Sequence, residues 1–244
     1  MATNKATDKV MNEATDKVTD KAIDIMNLSG GYGRRKIING LSLQIERGEC
    51  AAVVGPNGCG KSTLLSIMAG TMKPTGGSIH YFGYDALAGK SVFRRMTGYV
   101  PQENPLIPEL NVYDNLRLWY PDKKSLEKEL EEGFLHVLGI ADFVKMRADR
   151  LSVGMQKRTV IGIALAGMPP VLLLDEPGAA LDLIGKEEIG RYLSLYLQRK
   201  GTIAIATHEE QELTLCDHVY VMRAGKLHEV DKTLRGKELT EMFC

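Results

Sequence analysis

The sequence has few of the features that direct a chain into a membrane or out of the cell. No apolar run approaches the ~20 residues that a membrane-spanning helix needs. The N-terminus is polar throughout and does not have the pattern of a secretory signal peptide. Only four of the 244 residues are cysteines, and Cys50, Cys59, Cys216 and Cys244 are too scattered to form a metal site. We therefore expect the chain to work in a reducing, cytoplasmic setting.

The sequence also lacks an excess of charge of either sign. Lys and Arg together number 31, as do Asp and Glu, so no net positive field favours binding to nucleic acid. Hydrophobic residues make up 44% and charged residues 25% of the chain, which is typical of a globular protein with a sizeable core. A chain of this length has room for one or two domains.

One stretch carries a strong signal for phosphate binding. Residues 55–63 read Gly-Pro-Asn-Gly-Cys-Gly-Lys-Ser-Thr, which matches the G-x-x-x-x-G-K-[ST] pattern of a P-loop. The apolar run at residues 50–54 predicts a buried strand before it, and the apolar spacing after Lys61 predicts a helix that ends near Gly70. A chance match in a chain of this length is roughly a one-in-a-hundred event. With the strand and the helix in place, we predict a nucleotide site.

The residue types of this loop explain how it would hold a nucleotide. Glycine lets the backbone turn sharply and bring its N–H groups to phosphate oxygens, and the following helix adds the positive end of its dipole. Lys61 is long enough to reach the β- and γ-phosphates, and the Ser62 hydroxyl can hold Mg²⁺. The predicted nucleotide-binding residues of the loop are Asn57, Gly58, Cys59, Gly60, Lys61, Ser62 and Thr63.

Strand patterns flank the loop on both sides. Residues 23–45 alternate apolar and polar side chains, as half-buried antiparallel strands do. The continuous apolar runs at residues 171–174 and 202–207 predict strands buried on both faces of a parallel sheet. Such a sheet carries its ligand at the carboxyl ends of the strands.

Helical patterns dominate the region between these strands. Residues 103–150 have a mostly helical pattern, with helices expected over residues 112–119 and 124–138. Ser152 is a candidate N-cap for a helix over residues 153–167, and another helix is expected over residues 184–198.

Two carboxylates follow the apolar run at residues 171–174. Asp175 is placed to act through the ligand shell of Mg²⁺, and Glu176 to orient or deprotonate a water molecule that attacks the γ-phosphate. The alternative is a pair of solvated loop acids, and the nearby P-loop argues against it.

These motifs occur with others in an order that resembles the ATPases of the ATP-binding cassette (ABC) type. The resemblance covers nearly all of residues 22–230. It implies an α/β fold, namely a P-loop NTPase with a RecA-like parallel-sheet core, an antiparallel β subdomain and an α-helical subdomain. The positions that carry the resemblance are Tyr32, Gly55–Thr63, Gln102, Leu151–Met155, Leu172–Glu176, Ala180–Asp182 and His208.

The resemblance also implies a division of the chain. The ATPase domain spans residues 22–235, with its core at about 22–102 and 151–235 and its helical subdomain at about 103–150. Residues 1–21 are a polar extension that we expect to be disordered, and residues 236–244 are a C-terminal tail.

Several roles follow from the resemblance. Tyr32 resembles the aromatic residue that stacks on adenine, and His208 the histidine that bonds the γ-phosphate. Gln102 resembles the residue that senses both Mg²⁺ and the γ-phosphate. The implied catalytic residues are therefore Glu176, His208 and Lys61, and the implied metal ligands are Ser62, Gln102 and Asp175.

Another group resembles positions that act between two subunits. Ser152 and Gly154 correspond to residues that contact ATP on the opposite subunit, and Asp182 to a loop that communicates between the two sites. The segment departs from the family pattern, because it reads Leu-Ser-Val-Gly-Met where Leu-Ser-Gly-Gly-Gln is usual, and the loop at residues 178–180 reads Gly-Ala-Ala without hydroxyls. These changes would weaken contacts across a dimer while leaving the catalytic residues in place.

The implied function is ATP hydrolysis, with Mg²⁺, for transport. Two copies, or one copy and a similar ATPase subunit, would sandwich ATP, and a separate membrane permease would dock near residues 103–120 on the cytoplasmic face. Export is slightly favoured over import, and no nucleic-acid partner is expected. Three alternatives stay open: a family member acting on DNA or ribosomes, a P-loop kinase or GTPase switch, and a regulatory ATP-binding subunit with poor turnover.

Overall fold

A computed structural model of the chain describes residues 20–243, and all but the last two residues of the predicted N-terminal extension lie outside it. The described chain begins in an antiparallel sheet of four strands: β1 (Lys21–Tyr32), β2 (Arg35–Glu46), β4 (Gly76–Tyr81) and β5 (Tyr84–Asp85), in the order β2-β1-β4-β5. Ile23 pairs with Ile45 and Ile25 with Leu43, so the alternating apolar side chains share one buried face. The predicted antiparallel strands are present.

A second sheet has six strands, and the candidate site lies at the carboxyl ends of its parallel strands. It consists of β3 (Cys50–Val54), β6 (Thr97–Val100), β7 (Val171–Asp175), β8 (Thr202–Ala206), β9 (His218–Arg223) and β10 (Lys226–Val230), in the order β10-β9-β3-β8-β7-β6. All neighbours run parallel except the pair of β9 and β10. Every residue of β3, β7 and β8 is buried, which is why these strands read as continuous apolar runs.

Nine α-helices lie between or after these strands within the described residues. They are α1 (Lys61–Met68), α2 (Lys90–Met96), α3 (Val112–Arg117), α4 (Lys123–Glu132), α5 (Phe134–Val137), α6 (Val153–Ala164), α7 (Leu183–Gln198), α8 (Glu210–Leu213) and α9 (Gly236–Glu241). Two hydrophobic cores cover opposite faces of the parallel sheet. Along β3, Ala52 and Val54 belong to the core shared with the helical region, while Ala51 and Val53 belong to the core shared with the antiparallel sheet and α1.

The helical region is less regular than the sequence predicted. Residues 103–111 contain no helix, and the helix expected over residues 124–138 is divided at Gly133 into α4 and α5. At the division, the Glu129 carboxylate accepts a hydrogen bond from the Phe134 N–H, the first of α5, at 2.9 Å. A side chain at Gly133 would collide with the same carboxylate.

The remaining boundaries differ by smaller amounts. The helix that Ser152 caps ends at Ala164 rather than near residue 167. The hairpin of β9 and β10 was not predicted, and the predicted C-terminal tail contains α9. Within residues 20–243, no helix combines the length and the apolar character that crossing a bilayer requires.

Candidate nucleotide site

The P-loop connects the end of β3 to the start of α1 through backbone that only glycine adopts easily. Gly55 and Gly60 have φ angles of 150° and 119°. A Cβ atom on Gly60 would lie 2.6 Å from Ile37 Cγ2, so this position also has no room for a side chain. Gly60 caps α1 without a side-chain hydrogen bond, which leaves the N–H groups of the first helical turn to face an anion.

Lys61 folds back across this loop. Its side chain is 5% exposed, and its ammonium donates to the carbonyl oxygen of Gly55 at 2.8 Å and to that of Pro56 at 3.4 Å. A buried ammonium needs such partners. Phosphate oxygens entering the loop offer stronger, charge-assisted partners than these two carbonyls.

The loop forms the floor of a cleft with a volume of about 540 Å³, a size typical of ligand sites. Tyr32 stands at its rim with 61% of its surface exposed, so its ring is free to stack on a base. Arg35 and Ile37 of β2 also line the cleft. The sequence did not predict them as site residues, because neither belongs to a local motif. The lining residues are Tyr32, Arg35, Ile37, Asn57, Gly58, Gly60, Lys61, Ser62, Thr63, Gln102 and Glu176.

Three predicted residues meet at the carboxyl ends of β6, β7 and β8. Gln102 Nε2 donates to Glu176 Oε2 at 3.1 Å, and His208 Nε2 lies 3.8 Å from Glu176 Oε1. Glu176 follows β7 directly, and its N–H donates to the carbonyl oxygen of Ala206 at 2.9 Å. Neighbouring parallel strands therefore bring together residues that are up to 106 positions apart in sequence, Gln102 and His208.

Burial and nearby charges determine whether the His208 imidazole carries a proton. Burial lowers the pKa of His208, the nearby Lys61 ammonium lowers it further, and Glu176 and Glu209 act in the opposite direction. The imidazole is therefore neutral at pH 7, and its contact with Glu176 is not an ion pair. A neutral imidazole beside a carboxylate can hydrogen-bond a phosphate oxygen while the carboxylate orients water.

Asp175, one residue earlier, has the character of a ligand for a hard cation. It is 1% exposed, and its Oδ1 has no hydrogen-bond partner within residues 20–243. Burial raises its pKa, and the hydroxyl of Ser62 is the largest opposing influence. An unpartnered buried carboxylate oxygen next to a hydroxyl fits the oxygen ligands that Mg²⁺ prefers. No cluster of three or more His, Cys, Asp or Glu side chains in the described chain could hold a metal ion by itself, so phosphate oxygens would have to complete the shell.

Six predicted site residues do not line this cleft: Cys59, Asp175 and His208, and three others that lie at or beside the starts of helices. Ser152 Oγ accepts the Met155 N–H at 3.2 Å and caps α6, while Asp182 Oδ1 accepts the Gly185 N–H at 2.8 Å and caps α7. Neither residue, nor Gly154, lines the cleft beside the P-loop. Val153 is 49% exposed at the start of α6. Ser152, Gly154 and Asp182, which the resemblance assigned to contacts with or communication to a second subunit, thus do not line this chain's own cleft.

The chain is similar in sequence to known proteins. A sequence profile described as ABC transporter matches residues 38–179, more than half of the chain. A spermidine/putrescine import ATP-binding protein from Fusobacterium nucleatum is 36% identical over 85% of this chain and 56% of its own length. A sulfate/thiosulfate import ATP-binding protein from Cucumis sativus is 36% identical over 85% of this chain and 62% of its own. The chain thus spans somewhat more than half the length of these curated relatives.

Solved structures with the same fold are also known. The dimeric structure of a bacterial ABC transporter cassette covers 88% of this chain, which covers 99% of that cassette, with 27% identity and a TM-score of 0.76. A dimeric post-hydrolysis state of that cassette, bound to ADP and Pi, gives a TM-score of 0.75 at 27% identity over the same shares of the two chains. The expected α/β P-loop fold with its parallel and antiparallel sheets is therefore confirmed.

Proposed function

Because the chain belongs to the ABC transporter family, we propose that it binds and hydrolyses ATP to drive transport through a separate membrane protein. The observation that carries the proposal is that Lys61, Gln102 and Glu176 line one cleft. His208 lies 3.8 Å from Glu176 at the carboxyl ends of the same parallel strands. This group can grip a triphosphate, orient a water molecule and stabilise the charge that develops on the γ-phosphate.

The P-loop residues and Tyr32 hold ATP in this proposal. The loop N–H groups and Lys61 bind the phosphates, and the exposed ring of Tyr32 stacks on adenine. Ser62, Gln102 and Asp175 would hold Mg²⁺, which when bound neutralises charge on the β- and γ-phosphates. The unpartnered Oδ1 of Asp175 supports this assignment.

Glu176 orients and deprotonates the attacking water. The Gln102 amide fixes one carboxylate oxygen and leaves Oε1 directed toward His208, whose neutral imidazole can bond the γ-phosphate. Lys61 stabilises the negative charge on the phosphate oxygens from the other side. Each group acts from the end of a buried strand or from the P-loop, so its position is fixed by the fold.

A second ATPase subunit, identical or similar, would complete the site. Ser152, Gly154 and Asp182 are exposed or half-buried and do not reach this chain's own cleft, and a fold neighbour of this chain is dimeric. Specific ATPase activity should therefore rise with protein concentration before it reaches a plateau. Constant specific activity from a purely monomeric sample would contradict this part of the proposal.

The permease would dock on the segment at residues 103–120. Leu118 and Trp119 are 61% and 60% exposed, and Ile107 is also exposed, whereas Leu106 is buried. Exposed apolar side chains at neighbouring positions are typical of a protein-binding surface.

The named relatives are import proteins, so the slight preference for export is not supported and we favour import. We also retain the division into a core at residues 22–102 and 151–235 and a helical subdomain at 103–150.

Two substitutions test the proposed function. Lys61→Ala removes the buried ammonium and should abolish ATP binding and phosphate release. Glu176→Gln keeps the shape of the side chain, so it should retain ATP, stop hydrolysis and accumulate a closed dimer. The assays are nucleotide binding, phosphate release without an added acceptor, and size-exclusion chromatography.

Matched controls are available among exposed residues of the same types. Lys73→Ala and Glu187→Gln alter exposed residues outside the cleft and should leave all three readouts unchanged. Normal turnover in Lys61→Ala or Glu176→Gln would refute the assigned roles. ATP binding by the wild-type protein without phosphate release would instead favour the regulatory subunit that Val153 and residues 178–180 suggested.

A further inference from the structure

Glu212 is a buried carboxyl group that the proposed reaction does not yet use. It lies on α8, four residues after His208, and is 2% exposed. Within residues 20–243, the other buried Lys, Arg, Asp or Glu side chains are Lys61 and Asp175, and both belong to the nucleotide site. Burying a carboxyl group is costly, so its contacts need an explanation.

One side of the Glu212 carboxyl holds the segment that carries His208. The hydroxyl of Thr207, the residue between β8 and His208, donates a short hydrogen bond to Glu212 Oε2. The same hydroxyl oxygen accepts the Glu209 N–H at 2.9 Å. The Thr207 hydroxyl therefore holds the residues on both sides of His208. That hydroxyl is itself hydrogen-bonded to Glu212.

The other side of the carboxyl faces the loop that follows Glu176. Oε1 lies against Gly178, where a Cβ atom would come within 2.6 Å of it, and it makes no hydrogen bond of ordinary geometry with a described residue. Gly178 is two positions after Glu176. An ion pair of 2.8 Å between Lys186 and Glu209 also ties the His208 segment to α7, the helix that follows this loop.

We propose that Glu212 is a positioning residue for hydrolysis, holding the His208 segment and the loop after Glu176 at the separation that the reaction needs. The inference rests on the proposed function, because it assumes that Glu176 and His208 act on ATP. Glu212 does not line the nucleotide cleft. Its removal should therefore reduce kcat and leave the KM for ATP nearly unchanged.

The charge of Glu212 gives a second readout. Burial raises its pKa to about 7; the Thr207 hydroxyl, the Gly178 N–H and the Lys157 ammonium oppose this, and Glu209 adds to it. Two thiols are also near: Cys50 on β3, and Cys216, whose thiol donates to the Glu212 carbonyl oxygen at 3.4 Å. Below pH 7 the carboxyl carries a proton, and above pH 7 it becomes a buried anion. We expect the kcat of the wild-type protein to change as pH passes through 7, and this step to be absent when residue 212 cannot titrate.

The experiment measures phosphate release against ATP concentration from pH 6 to pH 8.5. Glu212→Ala should lower kcat about 10- to 100-fold, as expected for a small misplacement of reacting groups, and change the KM less than about threefold. Glu212→Gln mimics the protonated form, so it should stay near wild-type activity at pH 6.5 without the step near pH 7. Glu210→Ala and Glu210→Gln are the matched controls, because Glu210 is exposed on the same helix.

A second variant and a second measurement keep the test decisive. Thr207→Val removes the hydroxyl and should reproduce the loss in kcat, and its combination with Glu212→Ala should lose little more than either change alone. Hydrogen exchange of the nucleotide-free protein should be faster in Glu212→Ala at residues 176–182 and 207–213, but not in Glu210→Ala.

The outcomes separate the two proposals. If Lys61 and Glu176 are needed for turnover while Glu212→Ala keeps the wild-type kcat, pH profile and exchange, the inference on Glu212 is wrong and the proposed function stands. If wild-type protein does not hydrolyse ATP, the proposed function is wrong, and the positioning role of Glu212 is wrong with it. Parallel losses in kcat and in ATP affinity would show general damage and would also overturn the positioning role.

Discussion

Replacing Glu212 with Gln should stabilise the folded protein by an amount that depends on pH. Burial raises the pKa of this carboxyl from its usual value of 4.5 to about 7. Since one pKa unit corresponds to 1.36 kcal/mol, a difference of about 2.5 units corresponds to at most about 3 kcal/mol. The amide of Gln cannot ionise, so the variant avoids the cost of burying the charge while keeping nearly the same shape.

The direction of the effect follows from the protons bound in each state. Below pH 4.5, Glu212 is protonated in both the folded and the unfolded chain, so it adds no pH dependence. Between about pH 4.5 and 7 the folded chain binds the proton and the unfolded chain does not, so the free energy of unfolding of the wild-type protein falls as pH rises. Above pH 7 both states are ionised, and the full cost remains.

Thermal and urea unfolding at pH 5, 6, 7 and 8 would measure this difference. For a chain of this size, about 3 kcal/mol corresponds to a rise in Tm of about 6 to 12 °C. The difference between Glu212→Gln and the wild-type protein should be small at pH 5, grow through pH 7 and then stay constant. Glu210→Gln should show no such trend. Parallel stability profiles of wild type and Glu212→Gln from pH 5 to pH 8 would refute the assignment of a raised pKa to Glu212.

The remaining predictions concern binding, assembly and folding. Tyr32→Ala should weaken ATP binding by about 1–3 kcal/mol through lost base stacking, while Tyr32→Phe should not, as measured with a fluorescent nucleotide. Ser152→Ala should cost about 1 kcal/mol through the lost N-cap and reduce ATP-dependent dimerisation measured by light scattering. Tyr81→Phe removes the buried hydroxyl that donates to the carbonyl oxygen of Met68, so urea unfolding should show a loss of about 1–2 kcal/mol with normal ATP affinity. Trp119→Ala should leave the ATPase rate of the isolated protein unchanged and weaken co-purification with the permease.

Local patterns predicted the elements that carry a distinctive composition of their own. The strand, loop and helix at residues 50–68 follow from an apolar run and a glycine motif, and β7 and β8 follow from apolar runs buried on both faces. The helix expected over residues 124–138 was wrong in its continuity, because it breaks at Gly133, where the Phe134 N–H donates to the Glu129 carboxylate. The hairpin of β9 and β10 was missed, because neither strand is a continuous buried run like β7 or β8.

The residues of the candidate site were also only partly predictable from the sequence. The motif at residues 55–63 and the acids that follow β7 could be found from residue type and spacing. The roles of Gln102 and His208 came from a family resemblance, and only the strand order explains why both reach Glu176. Arg35 and Glu212 carry no sequence signal. Arg35 lines the cleft because of how β2 packs, and Glu212 is a candidate because it is buried.

The backbone of Glu176 indicates why the catalytic groups depend on β8. Glu176 has a φ of 50°, a left-handed conformation that costs a residue with a side chain about 1–2 kcal/mol. The conformation is held by the hydrogen bond from the Glu176 N–H to Ala206, the last residue of β8, and by the packing of Gly178 against Glu212. His208 leaves the same strand two residues after Ala206. The proposed base, Glu176, and the proposed γ-phosphate ligand, His208, are therefore both positioned by the end of β8. A change in the segment after β8 should affect both groups together rather than either one alone.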